Sequence, residues 1–151
     1  MVNDAQDNPQ SGRFLDGEHR FACRVYYEDT DATGVVYHAS YIRFIERARS
    51  DMLRIAGIDQ RAAHERGDGA YAVANLSIRY RKPAKLDDDL LIRSRVTQAQ
   101  TASVHIHQTV MRADELLAEA DVQAAFVSPD GRPRRQPSQW MDIFRNLTGA
   151  E

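Results

Sequence analysis

Only one segment of this chain repeats with the period of an α-helix, and most of the remainder alternates with the period of a β-strand. Apolar side chains recur every three or four residues from Tyr41 to Ile55, which places them on one helix face. Ser40 is a candidate cap at the start of this helix, and Gly57 marks its end. A helix with one broad apolar face must bury that face against another layer.

The second layer is predicted to be a sheet. Apolar and polar residues alternate over residues 21–27, 74–81, 90–97, 104–110 and 116–126. The links between the later segments are short, and short links join antiparallel neighbours. We therefore expect an α+β domain, in which an antiparallel sheet of about five strands covers one central helix. Residues 137–147 are predicted to form a short terminal helix.

Composition narrows the functional classes. Lys and Arg total 20 against 22 Asp and Glu, so the net charge of −2 gives no basic field for nucleic acid. The chain contains no apolar run long enough for a transmembrane helix. Residues 1–18 are polar and are predicted to be a disordered tail rather than a signal peptide, which leaves residues 19–148 as a single domain. The single cysteine, Cys23, is predicted to be an inert buried thiol, and the protein is predicted to be cytoplasmic.

A turn crowded with carboxylates lies between the first predicted strand and the helix. It contains Glu28, Asp29 and Asp31, followed by Gly34. Taken alone, such a turn favours capping of backbone N–H groups by the acidic side chains. A carboxylate base beside the free N–H groups of a helix start is also what transfer of an acyl group to water requires. Residue pattern alone leaves both interpretations open.

The stretch from Val25 to Leu53, which includes Asp31-Ala-Thr-Gly34-Val-Val-Tyr-His38-Ala-Ser-Tyr41, closely resembles a known family. It is similar to the tol-pal-associated acyl-CoA thioesterases, a branch of the 4-hydroxybenzoyl-CoA thioesterase superfamily. A looser similarity continues through residues 79–88 and 132–134. The resemblance implies the hotdog fold, in which a long sheet wraps around a central helix, and it places the first turn of that helix nearer His38. It also implies hydrolysis of an acyl thioester to a free acid and CoA without a cofactor, and an association with the tol-pal envelope locus.

The resemblance also assigns residues to roles. It makes Asp31 the catalytic carboxylate, acting as a nucleophile on the thioester carbonyl or as a general base on water. His38 has two possible roles, because its backbone N–H could stabilise the oxyanion and its imidazole could orient water or protonate the departing thiolate. Gly34 serves the turn and also allows close approach of the acyl group. Tyr37 and Tyr41 are expected to be pocket walls.

Cations are needed outside the pocket, because CoA carries phosphates. Arg81 and Lys82 are predicted to contact them, on the strength of the family match in that turn. Glu46 is interpreted as a structural ion-pair residue near Arg49, although another branch of the superfamily places its catalytic carboxylate on the central helix. The pair His105 and His107 lacks a third ligand at suitable spacing, so no metal site is predicted.

Alternatives to an acyl-CoA thioesterase stay open at this point. One is a thioesterase that acts on acyl carrier protein or on aromatic acyl groups. Another is a non-catalytic module that binds acyl-CoA or acyl carrier protein in lipid metabolism. For all of these alternatives, the resemblance implies a homodimer or homotetramer with active sites at the subunit interfaces. The length and the aromatic or aliphatic nature of the acyl group are not encoded in the motif.

Overall fold

The structure, a computed structural model, describes residues 7–149. The strands are β1 (Arg13–Leu15), β2 (Glu18–Arg24), β3 (Ala70–Tyr80), β4 (Asp89–Ala99), β5 (Ser103–Arg112) and β6 (Glu115–Val127). The helices are α1 (His38–Ala56), α2 (Gln60–Glu65) and α3 (Ser138–Thr148). None of these helices is both long and apolar enough to cross a membrane.

The strands form one antiparallel sheet in the order β1-β2-β4-β5-β6-β3. Tight turns connect β4 to β5 and β5 to β6, as expected for antiparallel neighbours. Alternate side chains of β4, β5 and β6 are buried against α1, which gives the sheet one apolar face. The predicted α+β class and antiparallel pairing are therefore confirmed, with six strands in place of about five.

The additional strand lies in the segment predicted to be a disordered tail. β1 pairs with β2, and Leu15 lies opposite Glu18. The two residues between them, Asp16 and Gly17, have φ values of 51° and 78°, the left-handed conformation that a tight hairpin turn requires at both positions. The predicted disordered tail is therefore wrong for residues 13–18, which belong to this hairpin. The Asp-Gly pair at residues 16 and 17 was the signal in the sequence for its turn. Residues 1–6 lie outside the described part of the chain.

Helix α1 begins and ends for different reasons. It begins at His38, with Tyr37 as the N-cap residue and without a side-chain cap. The prediction of a cap by Ser40 is wrong, because Ser40 lies inside the first turn and is buried. The helix ends at Gly57, whose φ of 99° lets its N–H reach the carbonyl oxygen of Arg54 at 3.2 Å. The buried face of α1 is formed by Tyr41, Phe44, Ile45, Ala48, Met52 and Leu53.

A buried polar contact joins α1 to the N-terminal hairpin. Asp51 is buried, and its Oδ2 atom lies 2.6 Å from Nε2 of His19 and 2.8 Å from the backbone nitrogen of Gly12. Arg47, four residues earlier on α1, is spaced for an ion pair with Asp51, but that pair is not formed. His19 is fully buried, so this contact is shielded from water and holds β1 and β2 against the helix.

The remaining helices close the ends of the core. Helix α2 follows α1 closely, and its N-cap residue Asp59 accepts a hydrogen bond from the Ala62 backbone N–H at 2.9 Å. The predicted terminal helix is confirmed as α3, which packs on β4. Its buried side chains, Trp140 and Phe144, join Phe126 in a second apolar cluster, which packs on the C-terminal half of α1 at Met52 and Leu53.

Candidate active site

A cleft of about 340 Å³ lies where the carboxylate-rich turn, the start of α1 and the end of β3 meet. The residues that line it are Asp31, Val35, Val36, His38, Tyr41, Tyr80, Arg81, Lys82 and Pro83. Five of the seven residues predicted for the site therefore share one cleft. The other two, Gly34 and Tyr37, lie directly beside it in the chain.

Hydrogen bonds within the turn and to the next loop fix the position of the cleft. Asp29 is buried, and its carboxylate accepts a hydrogen bond from the Tyr26 backbone N–H at 2.8 Å. The Val36 backbone N–H donates to the carbonyl oxygen of Ala84 at 2.8 Å. This second bond ties the turn to the segment that follows β3, and it brings Asp31 near Arg81 although fifty residues separate them. Asp29 thus has the structural capping role that the turn pattern alone favours.

Asp31 is held by the residue two positions later. Its Oδ1 atom accepts hydrogen bonds from the Thr33 hydroxyl at 2.6 Å and from the Thr33 backbone N–H at 2.8 Å. These two donors, the hydroxyl first, hold the pKa of Asp31 below its ordinary value, because they stabilise the charged form. Asp31 is therefore ionised at neutral pH. Its Oδ2 atom accepts no hydrogen bond from residues 7–149, so it is available to a substrate or a water molecule.

The start of α1 supplies hydrogen-bond donors to the same cleft. Tyr37 provides no side-chain cap, and the backbone N–H of His38 has no acceptor within the described part of the chain. Free N–H groups at a helix start carry the positive end of the helix dipole and favour a nearby negative charge. The cleft therefore combines a carboxylate with donors for an oxyanion, the arrangement that acyl transfer uses.

Two tyrosines form the inner wall of the cleft. The hydroxyl of Tyr80 donates to the carbonyl oxygen of His38 at 2.7 Å, which fixes the end of β3 to the start of α1. The buried Tyr41 accepts a hydrogen bond from the Ala84 backbone N–H at 3.0 Å, and its ring meets that of Tyr80 edge to face at 5.3 Å. Sequence reasoning treated Tyr80 as a strand residue only. Its place directly before Arg81 and Lys82 was the available signal.

The predicted phosphate contacts already have partners on β6. Arg81 lies 2.7 Å from Glu119, and Lys82 lies 3.3 Å from Glu115. Both cations line the cleft, and their contact with CoA phosphates stays a prediction. Exposed ion pairs of this kind contribute only about 0–1 kcal/mol, so an incoming phosphate can compete with the carboxylates.

Comparison with known proteins agrees with this geometry. A family model described as the thioesterase superfamily matches residues 33–119. The acyl-CoA thioesterase YbgC of Haemophilus influenzae is 43% identical over 113 residues, which cover 75% of this chain and 83% of that protein. The acyl-CoA thioester hydrolase YbgC of Escherichia coli O6:H1 is 41% identical over 128 residues, covering 83% and 95%. A probable thioesterase from Bartonella henselae superposes with a TM-score of 0.74 at 37% identity, over 80% of this chain and 98% of that one.

The chain belongs to the thioesterase superfamily. This membership confirms the predicted family, the hotdog fold and the class of enzyme, a thioester hydrolase. The roles of individual residues stay predictions, which the geometry of the cleft now makes specific.

Two of the residues predicted for the site, Gly34 and Tyr37, do not line the cleft. Gly34 has a φ of 86°, and apart from its two chain neighbours no residue has an atom within 4 Å of the point where a side chain would begin. The turn therefore explains the glycine and leaves open space beside it. The ring of Tyr37 packs on the ring of His38 at 4.4 Å and is half exposed. Tyr37 therefore does not touch the cleft directly but packs on His38, which lines it.

Other candidates for chemistry lie elsewhere. Glu46 is exposed and forms no salt bridge within residues 7–149, so the predicted ion pair is not formed, although its charge acts on Arg49 at longer range. Burial raises the pKa of the Cys23 thiol to about 11, which makes it a poor nucleophile. His107 pairs with Asp121 at 2.8 Å on the outer face of the sheet.

Proposed function

We propose that the chain hydrolyses acyl-CoA thioesters in the Asp31 cleft. The observation that carries this proposal is the presence, in one cleft, of an ionised carboxylate with a free oxygen atom and an uncapped helix start. The names of the relatives from Haemophilus influenzae and Escherichia coli support CoA as the thiol group.

In the proposed reaction, the thioester carbonyl oxygen lies at the start of α1 and accepts a hydrogen bond from the His38 backbone N–H. Asp31 attacks the carbonyl carbon, or removes a proton from a water molecule that attacks it. The negative charge that develops on the carbonyl oxygen is stabilised by the helix start. The carbon–sulfur bond then breaks, and CoA leaves as a thiolate that takes up a proton. If water is the attacking group, this step releases the acid directly. If Asp31 attacks, the acyl group stays on its carboxylate as an anhydride, and a water molecule then hydrolyses that anhydride to the free acid and the Asp31 carboxylate. The exposed imidazole of His38 is placed to provide the proton that the thiolate takes up.

The Tyr41 and Tyr80 rings give the cleft an apolar wall for the part of the acyl group nearest the thioester. Arg81 and Lys82 stand at its outer side, where the phosphates of the CoA arm would pass. Their present partners, Glu119 and Glu115, release them when a phosphate binds.

The experiment that tests the proposed function is a turnover assay. A panel of acyl-CoA thioesters that differ in length and in aromatic character is compared with the same acyl groups on pantetheine and on acyl carrier protein. We expect hydrolysis of acyl-CoA with release of the free thiol. Binding of acyl-CoA without turnover would instead support a non-catalytic module, and turnover on acyl carrier protein alone would change the thiol partner.

We further propose that the enzyme works as a homo-oligomer, paired through β3. This strand lies at the edge of the sheet, and none of its eleven residues is buried. Long exposed edges attract a second strand, and the half-exposed side chains of Val73 and Tyr80 favour one. Because the cleft begins where β3 ends, a second copy would lie beside the site.

Light scattering tests the assembly, with a dimer or tetramer of the 17.1 kDa chain as the expected result. Val73→Asp should lower the mass toward that of one chain, since it places a charge at the paired edge. A monomer for the wild type at micromolar concentration would contradict the proposal. A cytoplasmic location and an association with the tol-pal locus stay predictions from the sequence.

A further inference from the structure

The first turn of α1 carries two free hydrogen-bond donors and no cap. Its N-cap residue, Tyr37, forms no capping hydrogen bond with its side chain. The backbone N–H groups of His38 and Ala39 have no acceptor among residues 7–149, whereas the next one, that of Ser40, donates to the Tyr37 carbonyl oxygen at 2.8 Å. Uncapped helix starts fray readily, because few hydrogen bonds hold the first turn. Donors that act on a substrate at this position need another source of rigidity.

Tyr80, the last residue of β3, supplies a hydrogen bond to this turn from outside the helix. Its hydroxyl donates to the backbone carbonyl oxygen of His38 at 2.7 Å. Among residues 7–149, no other side chain forms a hydrogen bond with the backbone of residues 37–41. The ring of Tyr80 also lies perpendicular to the imidazole of His38, with the ring centroids 6.4 Å apart. The sheet therefore holds the helix start through one side chain.

Tyr80 is itself well fixed. It is paired in the sheet with the buried Ala118 of β6, and the backbone N–H of the following residue, Arg81, donates to the Leu117 carbonyl oxygen at 2.8 Å. Its ring packs edge to face on that of Tyr41, with centroids 5.3 Å apart. Partial burial raises the pKa of the Tyr80 hydroxyl, so the hydroxyl keeps its proton and remains a donor at neutral pH.

The hydrogen bond from Tyr80 acts on a peptide group that also carries one of the free donors. The carbonyl of His38 and the N–H of Ala39 belong to the same planar unit. Fixing the carbonyl oxygen therefore fixes the direction of that N–H. Hydrogen bonds in a chain also polarise one another, by roughly 10–30% per bond, so the donor strength of the Ala39 N–H increases as well.

We propose that Tyr80 is a positioning residue of the hydrolysis. Through the His38 carbonyl it holds the first turn of α1, so that the N–H groups of His38 and Ala39 stay directed at the thioester oxygen while negative charge develops there. This role rests on the proposed function, because it requires a thioester in the Asp31 cleft. The interaction is strongest in the transition state, so its loss should lower kcat and leave KM nearly unchanged.

The test compares the wild type with Tyr80→Phe, which keeps the ring in the wall of the cleft and removes only the hydroxyl. We expect kcat for acyl-CoA to fall by about 10–100-fold, because small displacements of catalytic groups cost up to about 10²-fold. KM should stay within about threefold of wild type. A residue that served only as an apolar wall would lose nothing in this substitution.

Thr97→Val is the matched control. It also removes a hydroxyl that donates to a backbone carbonyl oxygen, that of His105 at 3.2 Å, but Thr97 lies on β4 and does not line the cleft. Its kcat should stay within about threefold of wild type, the range expected of a surface change.

Two further measurements distinguish positioning from a general loss of stability. In a ketone analogue of acyl-CoA, a methylene group replaces the thioester sulfur, and the infrared stretch of its carbonyl reports the hydrogen bonds that it accepts. Binding to the wild type and to Thr97→Val should lower this frequency equally, and binding to Tyr80→Phe should lower it less. Replacement of Tyr80 by 4-aminophenylalanine restores a weaker donor at the same place, so its kcat should lie between those of the wild type and Tyr80→Phe.

Several results would overturn the proposal. These are equal kcat values for the wild type and Tyr80→Phe, a change confined to KM, an equal loss in Thr97→Val, or a carbonyl frequency that is the same in Tyr80→Phe as in the wild type. If Tyr80→Phe does not fold, the 4-aminophenylalanine variant is compared with the wild type directly, and equal kcat values would then overturn it. Failure of the proposed function would differ from all of these, because the wild type itself would show no turnover.

Discussion

Replacement of Asp31 by Asn separates the chemistry of the cleft from its architecture. The amide oxygen of Asn can accept the same two hydrogen bonds that Thr33 donates to the carboxylate, so the turn is kept. Asp31 is partly exposed, and no salt bridge of residues 7–149 includes it. We therefore expect an unchanged melting temperature and an unchanged circular dichroism spectrum for the variant.

Activity should change far more than stability does. An amide neither attacks a thioester nor removes a proton from water, and loss of a positioned base lowers kcat by about 10²–10⁴. The Tyr41 wall and the Arg81 and Lys82 cations are untouched by the substitution, so KM for acyl-CoA should stay within a few-fold of wild type. Release of CoA, followed with a thiol-reactive chromogen, measures both constants.

A matched control lies three residues earlier. Glu28 is an exposed carboxylate in the same turn that does not line the cleft, so Glu28→Gln should keep kcat within about threefold of wild type, the range expected of a surface change. If Asp31→Asn also kept kcat in that range, the assignment would be refuted. The next candidate would then be Glu46, the exposed carboxylate on the central helix, and Glu46→Gln would carry the loss.

Three further predictions follow from the same contacts. Thr33→Val removes the hydroxyl that contributes most to the lowered pKa of Asp31, so that pKa should rise and the acid limb of the kcat/KM profile should move to higher pH. Thr33→Ser keeps the hydroxyl and should leave the acid limb where it is. An acid limb that does not move in Thr33→Val would contradict the prediction. Replacement of both Arg81 and Lys82 by Ala should raise KM for acyl-CoA, reduce the dependence of KM on salt and leave kcat nearly unchanged. Turnover of a short pantetheine thioester, which lacks the nucleotide phosphates, should not change. Loss of activity on that substrate would instead show that the two residues have a structural role. Gly12→Ala should lower the free energy of unfolding in urea by about 1–3 kcal/mol, because the added methyl group would overlap a backbone carbonyl oxygen, and a change below about 0.5 kcal/mol would argue against that clash.

The sequence was sufficient for the central helix and the longer strands, because periodicity reports which face of an element is buried. The stripe from Tyr41 to Met52 and the alternation in four of the five predicted strands match the observed helix and β3 to β6. Periodicity does not report which strands are neighbours. The ion pairs of Arg81 and Lys82 with β6 follow from the position of β6 beside β3, and that order is not visible in the alternation of either strand.

The candidate site was predictable to the extent that one local motif contains it. Asp31 and His38 lie in that motif, and the resemblance supplied the cations that complete the cleft. The buried polar contacts of α1 were missed for a different reason. Asp51 and Arg49 have partners in distant strands, His19 and Gln108, so the rule of pairing within a helix selected wrong neighbours.

The start of α1 lacks a side-chain cap, which lowers local stability and suits the proposed function. A Ser, Thr, Asp or Asn at the N-cap position stabilises a helix by typically about 1 kcal/mol relative to a residue that cannot cap. This chain has Tyr37 there and leaves the His38 N–H without an acceptor among the described residues. A side-chain cap would occupy the donors that an oxyanion needs, and it would do so in the resting enzyme as well as in the transition state. Asp31 is kept from that role because Thr33 holds its Oδ1 atom within its own turn. The carboxylate and the helix start therefore face the same cleft without satisfying each other, which is the condition for both to act on a thioester placed between them.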